Sequence, residues 1–210
     1  MSEAVEIIRR HVKHADVILD IGCANIDPLQ HVGDQNEFQE LSAVWPNAIF
    51  YLFEPDPRWR DSILRIIEVR RNVVFNRSAV GAKDGEVDFH QSVDWKWSSS
   101  IREPKEHLKV SPCVQFAPPI KVPCRSLDSW SNEIWTPRID LIWADIQGAE
   151  VDMINGGQQC LARTRFLYTE YDDVELYAGQ INLAKILELL PAFEVVDRWH
   201  NNVLLRNTKI

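Results

Sequence analysis

Apolar residues first recur at helical spacing, Val5, Ile8 and Val12, behind a Ser2 suited to cap a helix. The pattern then changes. Val17-Ile18-Leu19-Asp20-Ile21 is apolar without alternation, carries a carboxylate at its end and reads as a fully buried strand. Asp34 and Glu37 resemble a capping box opening a helix with Phe38, Leu41 and Trp45 on one face, stopped before Pro46. Ile49–Phe53 is a second apolar strand, followed at once by Glu54. Pro55 and Pro57 punctuate the turn into an amphipathic helix carrying Trp59, Ile63, Ile66 and Ile67.

A third strand region is predicted over 73–80, and Asp84-Gly85 turns the chain into an alternating strand over 87–90. Residues 91–119 are the least regular stretch, an insertion with Trp95, Trp97, the serine run Ser98–Ser100 and four prolines. A short strand over 120–123 precedes Leu127-Asp128. Ile139–Ala144 is another buried strand with an acid, Asp145, after it, and a helix with Val151, Ile154 and Leu161 follows Gly148. A core strand over 165–169 meets Glu170, and a helix over 181–190 stops at Pro191. The chain finishes as an antiparallel hairpin, Phe193–Trp199 and 203–206 around His200-Asn201-Asn202. Strands alternating with helices imply a doubly wound, mostly parallel α/β sheet, and the chain reads as one domain over 1–210.

Composition narrows this picture. The 210 residues carry a net charge of −8, an argument against a surface that grips nucleic acid throughout. Four cysteines, at 23, 113, 124 and 160, have no zinc spacing and are expected as reduced thiols in the cytoplasm. Residues 1–14 are charged throughout, without the apolar run of a secretion signal, and no stretch is long and apolar enough for a membrane span.

Ligands of open α/β sheets bind beyond the carboxyl ends of the strands. Asp20, Glu54, Asp145 and Glu170 all stand at such ends, a poor setting for phosphates but suited to hydroxyls and positive charge. The first turn, Asp20-Ile21-Gly22-Cys23-Ala24-Asn25, keeps one glycine and has no other before Gly33, which argues against NAD or FAD. An acid after the second strand, Glu54, suits a ribose diol. S-adenosylmethionine, with a ribose, a sulfonium and an amino-acid tail, fits this inventory. Asp20 and the backbone at Gly22 and Ala24 are then expected at its methionine half. Asp145 is expected at its amino group or the reacting centre.

Five motifs in order resemble the FkbM family of S-adenosylmethionine-dependent methyltransferases. They are Ile18-Leu19-Asp20-Ile21-Gly22, Phe53-Glu54-Pro55-Asp56-Pro57, Ser78-Ala79-Val80-Gly81 with Asp84-Gly85, Ser126-Leu127-Asp128, and the block from Ile139 to Glu150. The resemblance implies a class I, Rossmann-like methyltransferase fold with an antiparallel seventh strand, and adenine contacts near Ser78 and Ala79. The chain departs from the family pattern in lacking a later glycine in the first turn, in Gln147 for a glutamate, and in Trp143 for a lysine.

Methyl transfer to a hydroxyl needs a base. Asp145 is the first candidate and Glu170 the second, with Glu150, His31 and His90 behind them. Asp145 and Glu170 form no specific metal motif. Trp97 and Ser99 are candidate contacts to the acceptor, a small molecule or glycan. The helix over 58–71 has five arginines against Asp61 and Glu68, a candidate RNA contact. An O-methyltransferase is therefore the leading reading, beside a nucleic-acid-binding or RNA-modifying protein and a non-catalytic cofactor-binding scaffold.

Overall fold

The computed structural model describes residues 1–24, 37–94, 96–135 and 138–210. Asn25, His31, Gly33, Asp34 and Trp95, named above, lie outside the described residues.

Helix α1 (Glu3–His11) begins where Ser2 Oγ accepts from Val5 N, and buries Val5, Ile7 and Ile8. The backbone N–H and hydroxyl of Ser2 both donate to Glu40, in α2 (Glu37–Val44), so the cap also ties the two helices together. Strand β1 (Val17–Ile21) runs parallel to β2 (Ile49–Phe53). A 3₁₀ turn over Pro57–Trp59, capped by Asp56, leads into α3 (Arg60–Val69). The region 73–80 is two strands. β3 (Val73–Asn76) pairs with β2, and the chain then leaves that sheet. β4 (Ala79–Val80) belongs to a second, three-stranded sheet with β5 (Gly85–Phe89) and β6 (Ile120–Arg125). The irregular stretch before β6 contains a 3₁₀ turn over Lys96–Ser98 and a short helix, α4 (His107–Val110), and is pinned by the isolated bridges His90–Ser100, Ser92–Phe116 and Pro104–Tyr177.

Ser126 Oγ caps α5 (Leu127–Glu133), and Asp84 accepts from both Ser126 N and Ser129 Oγ. The Ser-Leu-Asp motif thus does architectural work in this chain, and Asp128 adds to it by accepting from Cys160 N. Strand β7 (Ile139–Ala144) is buried at every position. The helix expected after Gly148 is broken at Gly156-Gly157 into α6 (Glu150–Gly156) and α7 (Gln158–Ala162). Then come β8 (Thr164–Glu170), α8 (Leu183–Leu189), β9 (Phe193–Trp199) and β10 (Asn202–Asn207).

The main sheet has the order β3-β2-β1-β7-β8-β10-β9. β1, β2, β3, β7 and β8 run parallel. β10 inserts antiparallel between β8 and β9, which makes the finish an antiparallel hairpin. Cores fill both faces. One contains Ile8, Phe38, Phe50 and Ile63; the other contains Leu19, Trp130, Ile142, Ile154 and Leu205. From β1 the chain moves outward to β2 and β3, and later crosses back to β7 on the other side. That reversal opens a crevice beyond the carboxyl ends of β1 and β7.

Candidate active site at the carboxyl ends of the strands

The crevice is closed at its base by backbone contacts. Asp145 N donates to Ile21 O at 3.0 Å, and Gly22 N donates to Phe53 O at 2.9 Å. Gly22 has φ +85°, and a Cβ there would stand 1.9 Å from the Asp145 carbonyl oxygen. Only glycine fits this crossing of strand ends. Above it lies a cleft of about 500 Å³ whose walls include Gly22, Ala24, Glu54, Ser78, Ala79 and Asp145. These are six of the seven positions expected from the sequence at a cofactor. The seventh, Asp20, is buried beneath them on β1.

Three groups in this region are built for a missing partner. Asp20 is 2% exposed, and its Oδ2 has no hydrogen-bond partner among the described residues. The buried Ser78 hydroxyl has none either. Glu54 is 5% exposed and accepts one bond from Asp56 N at 2.7 Å through Oε1. Burial pushes the Glu54 carboxyl up to about 8, with Asp56 and Asp20 adding to the rise. Burial also raises Asp20, assisted by Glu37 and Asp145, and it raises Asp145. Among the described residues no lysine or arginine lines the cleft. Such an array disfavours an anion and favours a ligand that brings hydroxyl donors and a positive charge.

Trp97 and Ser99 are placed on the wall of the same cleft, with Ser78 and Ala79. The sequence reading had them at the acceptor. Their placement has a clear cause in Asp56. Its carboxylate accepts from Arg58 Nε at 3.0 Å and from Gln91 Nε2 at 2.9 Å. Arg58 in turn donates to Ser92 O at 2.8 Å and Ser99 Oγ at 3.1 Å. Arg58 thus points inward, strapping the irregular segment over the cleft. Arg70 lies over the Phe38 ring and Arg65 donates to Ser62, so three of the five arginines of the 58–71 region engage the protein itself.

Glu170 does not line this cleft. It lies in a neighbouring one with Glu37, Trp143, Tyr168, Trp199 and Asn202. The link between the two is Gln147, whose Nε2 donates to Asp145 Oδ1 at 2.7 Å and lies 3.4 Å from Glu170 Oε2. The Asp145 charge, then burial, raises the Glu170 carboxyl. Glu150 is buried at the start of α6 and pushed up to about 7 by burial, with one oxygen unpartnered. His90 pairs through its backbone with Ser100 and is not on the cleft wall. Among the described residues no group of three or more His, Cys, Asp or Glu side chains is arranged to hold a metal ion.

Pattern reading missed the Asp56–Arg58 strap and Tyr177. Asp56 was visible as part of a proline-rich motif, and its buried role has no linear signature. Tyr177 is 1% exposed and donates to Ser98 O at 2.8 Å, far from any motif.

Comparison with known proteins agrees with this geometry. The chain is 41% identical to the 2-O-methyltransferase NoeI of Sinorhizobium fredii, over 98% of this chain and 85% of that protein. A methyltransferase FkbM from Methylobacillus flagellatus superposes with a TM-score of 0.54 at 13% identity, covering 91% of this chain and 43% of that one. The Aeropyrum pernix fibrillarin with natively bound S-adenosyl-L-methionine superposes with a TM-score of 0.53 at 13% identity, over 96% and 73%. These two structural likenesses speak for the fold. Residues 25–201 match the methyltransferase FkbM domain, and with that match the chain belongs to the FkbM methyltransferase family.

Proposed function

We propose that this protein is an S-adenosylmethionine-dependent O-methyltransferase acting on a hydroxyl of a small molecule or glycan. The observation that carries the reading is the cleft itself, where buried carboxylates gather at the switch point and, among the described residues, no lysine or arginine is on the wall. The 2-O-methyltransferase relative supports a hydroxyl as acceptor. A cytoplasmic setting belongs to the same proposal, supported by four unpaired cysteines.

The residues present fit the cofactor. Glu54 has a carboxylate oxygen left to accept from ribose hydroxyls, as charge-assisted bonds in a buried setting. Ser78, with its unpartnered hydroxyl, and Ala79 suit the adenine edge, and Trp97 suits its face. Asp20 and the Gly22–Ala24 backbone suit the amino-acid half. The cofactor supplies a methyl group made electrophilic by the attached sulfonium.

With the cofactor bound, its methyl group would pass from sulfur to the acceptor oxygen, and a carboxylate of the protein would take the hydroxyl proton. Asp145 is the group we assign to that proton, with Glu170 behind it. A carboxylate is the stronger base the higher its pKa, provided that it is ionised at the working pH. Holding acceptor and methyl donor in line supplies much of the rate.

Calorimetric titration with S-adenosylmethionine and with NAD tests the cofactor. Binding of the first alone is expected, and failure to bind it refutes the reading. Transfer of labelled methyl from S-adenosylmethionine to a panel of sugars and alcohols tests the reaction. An alkali-stable ether product is expected; label found only in alkali-labile esters or in RNA points elsewhere.

A further inference from the structure

Gln147 stands between the two clefts in an unusual conformation. Its φ is +51°, rare for a residue with a side chain, and Gly148 follows at +90°. The turn from β7 into α6 is held there by Ser100 Oγ, which donates to the Gln147 carbonyl at 2.8 Å. Backbone strain of this kind persists where the surroundings over-determine it, commonly at reacting centres.

The side chain is as constrained as the backbone. Its amino group has two protons and faces two carboxylates, Asp145 Oδ1 at 2.7 Å and Glu170 Oε2 at 3.4 Å. Its Oε1 lies 3.3 Å from the Tyr177 hydroxyl, whose single proton also has the Ser98 carbonyl within 2.8 Å. Turning the amide over would aim a carbonyl oxygen at two carboxylates, so the partners dictate the orientation. We infer that Gln147 is a positioning residue, whose amide holds Asp145 and Glu170 together as one proton-accepting pair at the methyl-transfer centre. The inference rests on the methyl-transfer reading of the cleft and deepens it.

The charges around the pair give the amide its purpose. Asp20 faces it from β1, Glu37 from α2, Glu150 from α6, Tyr168 from β8, and Tyr177 from the chain before α8. Arg102 acts on Glu150 and is itself bonded to Asp152 at 2.6 Å. Two carboxylates so placed would share a proton and lose their capacity as a base. A neutral donor reaching both opposes that, favouring the charged form of each. The FkbM-like pattern has a glutamate at this position; in this chain the amide takes the place of a third negative charge.

The test needs no acceptor. S-adenosylmethionine and S-adenosylhomocysteine share adenine, ribose and amino-acid tail, and differ at the sulfur by one methyl group and one positive charge. Their affinity ratio, measured by titration calorimetry across pH, therefore isolates the charge of the groups facing the sulfonium. In the wild type the ratio is expected to rise in favour of S-adenosylmethionine as the pair ionises. Gln147→Met keeps the volume and removes the donors, and should move the midpoint up by about one pH unit. Gln147→Glu adds a carboxylate and should move it at least as far; it also carries the test if the methionine variant fails to fold. A midpoint common to all three proteins, or a ratio reduced equally at every pH, overturns the role of Gln147. Failure of the wild type to bind either ligand overturns the cofactor reading instead.

Discussion

Replacing Gly22 with alanine should unfold the site from its base. Two costs follow from the geometry. The residue has φ +85°, and holding an L-residue in left-handed backbone costs about 1–2 kcal/mol. The new methyl would also stand 1.9 Å from the Asp145 carbonyl oxygen, where real Cβ atoms keep at least 3.0 Å. The obstacle is backbone, not a flexible side-chain end. The ends of β1 and β7 must part by about an ångström against the Asp145 N to Ile21 O bond, and overpacking of this kind costs about 1–3 kcal/mol. Together about 2–5 kcal/mol is lost, which for a chain of this size lowers Tm by roughly 5–20 °C. Gly85→Ala is the matched control. Its φ is +146° and a Cβ there meets nothing within 4 Å, so only a backbone cost of about 1–3 kcal/mol applies, without the steric clash. Thermal melts followed by circular dichroism, with S-adenosylmethionine titration below the melt, read both variants. Indistinguishable melts for the two alanine variants would refute the steric reasoning.

Three further outcomes are expected. Glu54→Gln should weaken S-adenosylmethionine by about tenfold or more through loss of charge-assisted bonds; calorimetry giving wild-type affinity removes the ribose assignment. Trp97→Ala should weaken the same cofactor by about 1–3 kcal/mol if the indole covers the adenine face, and an unchanged Kd with impaired methyl transfer would return Trp97 to the acceptor. The buried acids make the ligand-free protein less stable as pH rises. Glu37, Glu54 and Glu150 move from an ordinary 4.5 to about 7, 8 and 7 on folding. The folded chain therefore holds more protons, its stability is greatest below 4.5, and it falls as pH climbs toward about 8. Melts across that window should show the decline, and a flat or rising Tm contradicts the burial of these carboxyls.

What the chain displays in one dimension is periodicity and local chemistry. Unbroken apolar runs such as Ile139–Ala144 declare buried parallel strands, because both faces of a parallel sheet are covered. An acid standing where each run ends, as at Glu54 and Asp145, then marks the ligand side. Those signals sufficed for the α/β class and for the cleft-lining positions at Gly22, Glu54 and Asp145, while Ser78 came from the family resemblance. They did not suffice where contacts are long-range. β4 is apolar like β3, and only its pairing with β6, more than 40 residues later, puts it in a different sheet. Asp140 looks like one more acid in a motif, yet it is 1% exposed and accepts from Asp16 N and Val17 N, anchoring the start of β1. That Ser99, beside Trp97 on the cleft wall, is held by Arg58 could not be read from the pattern, because Arg58 lies in another element. Gln147 read as a mere departure from a pattern until the fold brought Glu170, Tyr177 and Ser100 around it. Local sequence determined which segments could be strands and which ends could meet a ligand. The tertiary structure decided which polar groups met each other, because hydrogen bonds and charge interactions depend on distances that only packing sets.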